Sequence, residues 1–398
     1  MDRRSGSMTG FGSKRDLARD RGEEAKVEFV ELFYDLVFVF AVTQISHFLL
    51  KHLTLLGAFQ AAFLLLAVWW VWVFTAWVTN WMDPRRTVVK FLLFALMLGG
   101  LVMSSSLPEA FDERGLAFAA AFVFMQVGRS LFMLWALRHH NPDNFRNFLR
   151  ITQWLVLSGI FWIAGGLAEG ETRFALWIAA LVIEYLGPAF RFWTPWNGAT
   201  ATSDWDVEGA HMAERSALFI IIALGESVLV TGATFAELEW SPPVVGAFLA
   251  SFFGTVAMWW LYFNRGADKA RHNIEHSDDP GRIARIAYTY LPVLLIASIV
   301  VVAVGDELAL AHPVGGHAEL AAILAIVGGP ALYVVGNMLF KRVSYGRLPL
   351  SHLVGLALFV ALGIVAPLLD PLPISALSTL ILVVIVVWES ASLESAAS

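Results

Sequence analysis

The sequence predicts an all-α integral membrane protein of about twelve transmembrane helices, arranged as two parallel six-helix repeats. Three observations predict it. Apolar stretches near ~20 residues, the length that crosses a hydrocarbon core, recur along the chain. Lys and Arg fall almost entirely on alternate connections. Matched residues return in the two halves in the same order. Hydrophobic residues make up 58 % and charged residues 15 % of the 398 residues. Open sheets are excluded in hydrocarbon, because their edge amides and carbonyls find no partner there.

The spans can be taken in order. The first, 27–50, opens on an acidic run. At 100° per residue Glu28, Glu31 and Asp35 fall within about 60° of one another and form one stripe. Gln44 and His47 lie farther along, on the opposite or flanking side. The second, 58–80, carries Trp69, Trp70, Trp72 and Trp77; with Trp81 and most other tryptophans these read as interfacial-belt and packing residues. The third, 90–107, follows the basic turn at Arg85–Lys90. The fourth, 115–137, holds Gln126 and Arg129 well inside, as helix-packing groups or carboxylate partners. The fifth, 151–168, follows Arg138–Arg150. The sixth, 174–193, carries Glu184, Pro188 and Arg191.

The seventh span, 211–235, is the polar one of the second half, with His211, Glu214, Arg215 and Glu226. The eighth, 244–264, holds Trp259-Trp260. The ninth, 284–304, contains Pro292. The tenth, 318–340, contains Gly328-Gly329-Pro330, expected to break it, and Asn337. The eleventh, 351–368, is short enough for a tilted partner or a half-span. The twelfth, 373–390, ends at Glu389. The predicted organisation is a disordered tail over 1–26, repeats over 27–193 and 211–390, and a flexible end over 391–398.

Positive charge orients the chain. With the N-terminus inside, the inner segments hold 22 of the 27 Lys and Arg, and the outer turns hold three: Lys51, Arg114 and Arg173. Both termini are therefore expected in the cytoplasm and the protein in the inner cell membrane. Residues 1–26 have no apolar core and do not read as a signal peptide. The chain has no cysteine, which excludes disulfides, thiolate metal sites and cysteine nucleophiles. His139-His140, His272 and His276 read as solvated loop residues.

The halves share Glu28 and Phe33 with Glu214 and Phe219, Trp69-Trp70 with Trp259-Trp260, Gly128, Leu131 and Phe132 with Gly336, Leu339 and Phe340, and Glu184 with Glu389. Six spans is an even number, so the two copies point the same way and the first helix of each can face the other across a central axis.

Two readings of the polar residues stay open. In one, Asp35, Glu226, His211, Gln44 and His47 line a hydrophilic path or a cation- or proton-responsive site. In the other, Arg215, Arg129 and Arg191 neutralise Glu28, Glu31, Glu214 and Glu184 and pin the helices together. The second suits Glu214 and Arg215. The first suits Asp35, which has no cation near it in sequence, and Glu226, which is too deep to snorkel. His211 and Glu214 have a spacing that a metal site uses, but no second pair completes one, so no metal is expected.

The run Glu31-Leu32-Phe33-Tyr34-Asp35-Leu36-Val37-Phe38-Val39-Phe40-Ala41 resembles the signature of the bacterial low temperature requirement A (LtrA) family. His211-x-x-Glu214-Arg215 through Leu224-Gly225-Glu226-Ser227 resembles that family's second signature. The resemblance covers about residues 24–390 and implies a multi-spanning membrane protein, without a catalytic mechanism. Phe33-Tyr34-Asp35 is also similar to the Phe-Ser-Asp motif of the endolysosomal-type potassium channels, which carry two six-helix repeats and line their pore with the first helix of each. That family's Arg, four residues before the Phe, is Phe29 in the first copy and Arg215 in the second. The second copy has Ile221 in place of the Asp.

The expected function is a channel or transporter for a small cation or proton. The alternatives are a membrane-embedded enzyme acting on a lipid-like substrate, for which no catalytic motif speaks, and a structural or stress-response protein. The expected partners are the lipid bilayer, small cations and a second copy of the chain. No cofactor and no nucleic acid is expected.

Overall fold

The computed structural model describes Leu17, Arg19 and residues 26–138, 142–200, 208–264, 286–346 and 348–394. The basic connection 265–285 with His272 and His276, the pair His139-His140, and most of the two terminal segments lie outside the described residues.

Among the described residues, twelve helical segments are long and apolar enough to cross a membrane. They are α1 (Phe29–Lys51), α2 (Leu55–Trp81), α3 (Thr87–Ser106), α4 (Gly115–Leu137), α5 (Pro142–Leu167), α6 (Gly170–Ala189), α7 (Gly209–Glu237), α8 (Pro242–Phe263), α9 (Leu291–Ala311), α10 (Leu320–Tyr345), α11 (Leu350–Val365) and α12 (Pro371–Glu394). Their ends follow local chemistry. The Glu28 amide donates to Glu31 Oε2 at 3.0 Å at the start of α1. Thr54 caps α2 by accepting from the Gly57 amide at 3.0 Å. Pro242 opens α8 where a missing amide costs nothing. Gly346 closes α10 in the left-handed region, at φ 72°.

Several expected boundaries change. The fifth span begins at Pro142, because a polar, amphipathic turn precedes its apolar run. The ninth continues past 304 to Ala311 and so takes in Asp306. The tenth is continuous through Pro330 instead of broken there. Two residues of the tail expected to be disordered are held in place. The Arg19 amide donates to the Trp81 carbonyl at 3.0 Å, and the Asp83 amide to the Leu17 carbonyl at 2.9 Å.

Around α1 pack α2, α3, α7 and α9. The helices α4, α5 and α6 form one packed group, and α8, α10, α11 and α12 form another with α9. Lipid tails are as apolar as leucine, so burial of apolar area does not drive this assembly. Close packing and polar links between helices do. Three of the second-span tryptophans are core residues and not belt residues, while Trp77 and Trp81 are half-buried. Trp69, Trp70 and Trp72 are buried, as are Trp162 and Trp177. Buried ring N–H groups usually find partners, and of these Trp70 Nε1 has none among the described residues. Trp69 Nε1 donates to the Thr289 carbonyl at 2.7 Å, and Trp177 Nε1 to the Trp162 carbonyl at 3.0 Å. Trp193, Trp196 and Trp240, near helix ends, are exposed.

Arg173, counted above as a charge in an outer turn, is buried. It donates to the carbonyls of Ala168 at 2.9 Å, Ala110 at 3.3 Å and Asp112, tying the α3–α4 turn to the end of α5.

Candidate functional site

The acidic stripe of α1 faces inward and meets a cation from the far half of the chain. One guanidinium spans a turn of α1: Arg215 Nη1 donates to Glu31 Oε1 at 2.8 Å and Nη2 to Asp35 Oδ1 at 2.6 Å. Glu31, Asp35 and Arg215 are all fully enclosed. Glu31 and Asp35 are four apart and therefore stacked on one face, which is what lets a single planar fork take both. Arg215 Nη1 also donates to Thr79 Oγ1 at 3.0 Å. The Trp72 ring lies 5.6 Å from the guanidinium carbon, and Trp72 Nε1 donates to Asp35 Oδ1 at 2.7 Å. Phe219, one turn along α7, packs against Trp72. Asp35 Oδ2 is buried without a hydrogen-bond partner.

Glu31 Oε2 is filled as well. It accepts from Arg19 Nη2 at 3.1 Å and from the Glu28 amide. His211 Nε2 sits 3.1 Å from Glu31 Oε1 and 2.9 Å from Arg19 Nη2. Asn80 fixes this corner by donating to the Glu208 carbonyl at 2.9 Å and accepting from the Glu208 amide at 3.1 Å. Two carboxylates and two guanidiniums thus balance in a water-poor pocket, the arrangement that makes buried charge tolerable.

A second buried chain starts one turn away. Tyr34 Oη donates to Thr75 Oγ1 at 2.8 Å, and Arg129 Nη1 donates to the same oxygen at 2.9 Å. Arg129 also donates to Gln126, whose amide donates to Glu184 Oε2 at 2.5 Å. Ser158 and Trp162 complete the Glu184 shell at 2.7 and 3.3 Å. Arg129 therefore reaches Glu184 through Gln126, not directly.

The other sequence-selected residues are dispersed. Glu226 on α7 accepts from Thr43 Oγ1 on α1 at 2.5 Å and is half-buried. Gln44 is half-buried and His47 is exposed. Glu214 meets the Val27 amide at 3.4 Å and not Arg215. Glu28 lies 4.0 Å from Arg85 on the surface. Arg191 is exposed in a left-handed turn at φ 52° and pins no helix through Glu184. Asp35 and Glu226, grouped as lining one path, belong to different surroundings: a closed ion-pair cluster and the half-open α1–α7 seam.

Sequence reasoning overlooked Arg19 and Asp306. Arg19 was absorbed into the topology count, and Asp306 lay past the end assigned to the ninth span. The signal for Asp306 was the acidic pair Asp306-Glu307 inside the otherwise apolar run Ile299–Ala311. Among the described residues no three His, Cys, Asp or Glu converge as a metal site.

Fold and cluster together define a multi-spanning, all-helical membrane protein built around buried charge at the crossing of its first and seventh helices. The chain belongs to the LtrA family: the family described as bacterial low temperature requirement A protein matches residues 26–387. It is similar to Uncharacterized protein RA0937 of Rhizobium meliloti (strain 1021), with 45 % identity over 381 residues, covering 95 % of this chain and 92 % of that protein. No solved structure matches the chain significantly.

Proposed function

We propose that this LtrA-family protein moves a small cation or a proton across the cell membrane. In this reading Glu226 is the carboxylate that meets the ion, and the Arg215–Asp35 pair is the latch joining α7 to α1. One observation carries it. Glu226 lies deep in a membrane helix, and among the described residues it is bonded only to Thr43 across the α1–α7 seam and pairs with no cation. An uncompensated carboxylate at that depth is costly and is characteristic of ion and proton pathways. Gln44 and His47 continue the polar character of α1 beyond Thr43.

In the same reading the two halves are parallel repeats, which would make α1 and α7 equivalent helices on a shared axis. In keeping with it, Glu184 takes a donor from Gln126 on α4, and Glu389 takes one from Lys341 on α10 at 2.6 Å. Each is the fourth helix of its half. The charge distribution supports both termini on the cytoplasmic side.

The test is ion and proton flux in proteoliposomes. Glu226→Gln should lower flux at least about tenfold, the scale of one lost charged contact. Asp35→Asn should alter flux less than Glu226→Gln. Wild-type flux in Glu226→Gln would sink the assignment. A scaffold role is the second reading, favoured by the saturation of Glu31 with donors. It predicts no flux in any variant, and loss of folded protein in Asp35→Asn.

A further inference from the structure

We propose that a cavity enclosed by α8, α9, α10 and α12 is a binding site for a small, hard monovalent cation of the sodium or lithium class. Asp306 supplies the charge, and Ser251, Ser375, Ser378 and Thr379 supply hydroxyl oxygens; all five line the cavity. The site lies in a different helix group from Glu226 and stands whether or not the chain transports an ion.

The cavity is built, not incidental. Asp306 is 8 % exposed, and its Oδ2 is buried without a hydrogen-bond partner. Ser378 Oγ is buried and unpartnered too. Ser251 is close enough to interact with the Asp306 carboxylate. Buried polar atoms are nearly always satisfied, so two orphans on residues lining one space mark a missing partner. No other residue lining the cavity is ionisable, so nothing there neutralises the carboxylate.

The backbone adds a further acceptor. Pro330 lies inside α10 and has no N–H, so the carbonyl of Ile326, four residues earlier, lacks its helical donor. Both residues line the cavity. Helices α9 and α10 cross closely at this level: a methyl on Gly305 would lie 3.0 Å from the Ala325 carbonyl carbon, and one on Gly329 would lie 2.9 Å from the Val302 amide nitrogen. Glycine at these two positions lets the proline-freed turn of α10 come up beside Asp306.

Every polar group identified here is an oxygen: one carboxylate, four hydroxyls and one carbonyl. Oxygen-only shells suit hard cations, whereas nitrogen and sulfur ligands select transition metals. A single carboxylate balances one positive charge, which favours a monovalent ion over a divalent one. The cavity volume is about 20 Å³, room for one small ion or one water.

Purified protein in detergent, with ionic strength held constant by choline chloride, is heated in sodium, lithium, potassium or choline. Sodium or lithium should raise the Tm by about 2 °C or more over choline, the effect of a ligand at several times its Kd. Asp306→Asn should remove that ion-specific rise, and the double variant Ser251→Ala with Ser378→Ala should reduce it. Radioactive sodium binding to wild-type protein should show a saturable site that lithium displaces. If Asp306→Asn does not fold, the serine double variant and the binding assay decide. No ion-specific rise in the wild type, an unchanged rise in the variants, or no saturable sodium binding would each overturn the proposal. Glu226→Gln should keep the sodium-dependent rise, so failure of the transport reading and failure of this one give different results.

Discussion

Arg215 and Asp35 are 180 residues apart in the chain, and their side chains meet at 2.6 Å inside the bundle. The contact ties α7 to α1. Because Arg215 also holds Glu31, removing its guanidinium would leave Asp35 without its cation and Glu31 with the Arg19 guanidinium alone. Breaking one side of a buried ion pair costs about 3–5 kcal/mol. Arg215→Ala should therefore lower stability by about that much, read as a fall in Tm or loss of folded protein in detergent. Arg215→Met combined with Glu31→Gln and Asp35→Asn should recover most of it, since the charges leave together. A triple variant no better than Arg215→Ala would show that the guanidinium acts through packing alone.

Thr75 joins α1 to α4 through one oxygen, which accepts from both Tyr34 and Arg129. Thr75→Val keeps the shape and removes the acceptor, leaving a buried guanidinium and phenol short of a partner. The expected loss is about 2–3 kcal/mol. Thr75→Ser should lose well under half of that, because the hydroxyl stays. Equal losses for the two would place the effect in packing.

Arg173 satisfies carbonyls from the α3–α4 turn and the end of α5. Arg173→Ala should cost about 2 kcal/mol, the scale of hydrogen bonds made by a charged donor. The loss should be local. Amide hydrogen exchange should quicken at Leu107–Arg114 and Ala164–Ala168 while the α1–α7 crossing keeps its protection.

Asp83 stands in the connection between α2 and α3. Burial pushes its carboxyl up, but hydrogen bonds from the Arg85 side chain and amide, with the charges of Arg85 and Arg86, hold it below the ordinary aspartate value. A carboxyl lowered in the folded state adds stability above its unfolded pKa, and that contribution is lost as pH falls through the folded one. Wild type should thus lose stability relative to Asp83→Asn as the solution is acidified below the ordinary aspartate range. Unfolding curves of the two proteins that stay parallel through that range would rule the linkage out.

The spans were legible because each is a local property: about 20 apolar residues announce a helix wherever they pack. The inward acidic stripe was legible for the same reason, as Glu31 and Asp35 are one turn apart. The reading of Trp69, Trp70 and Trp72 as belt or packing residues resolves to packing, because tryptophan suits both an interface and a core and only neighbouring helices separate the two. The end of the ninth span was misplaced because Asp306-Glu307 interrupts its hydropathy. In the fold Asp306 turns into a polar cavity, and the helix carries on past it.

By itself the sequence determined that this is a helical membrane protein of the LtrA family with ionisable residues set into its first and seventh helices. Helix formation and membrane insertion depend on residues within a few turns of one another. Only the tertiary structure decided that Asp35 is closed into a pair with Arg215, that Glu226 faces Thr43 instead, and that Asp306 shares a cavity with Ser251 and Ser378. Those outcomes rest on contacts between segments as much as 183 residues apart, and distant contacts leave no periodicity along the chain to read.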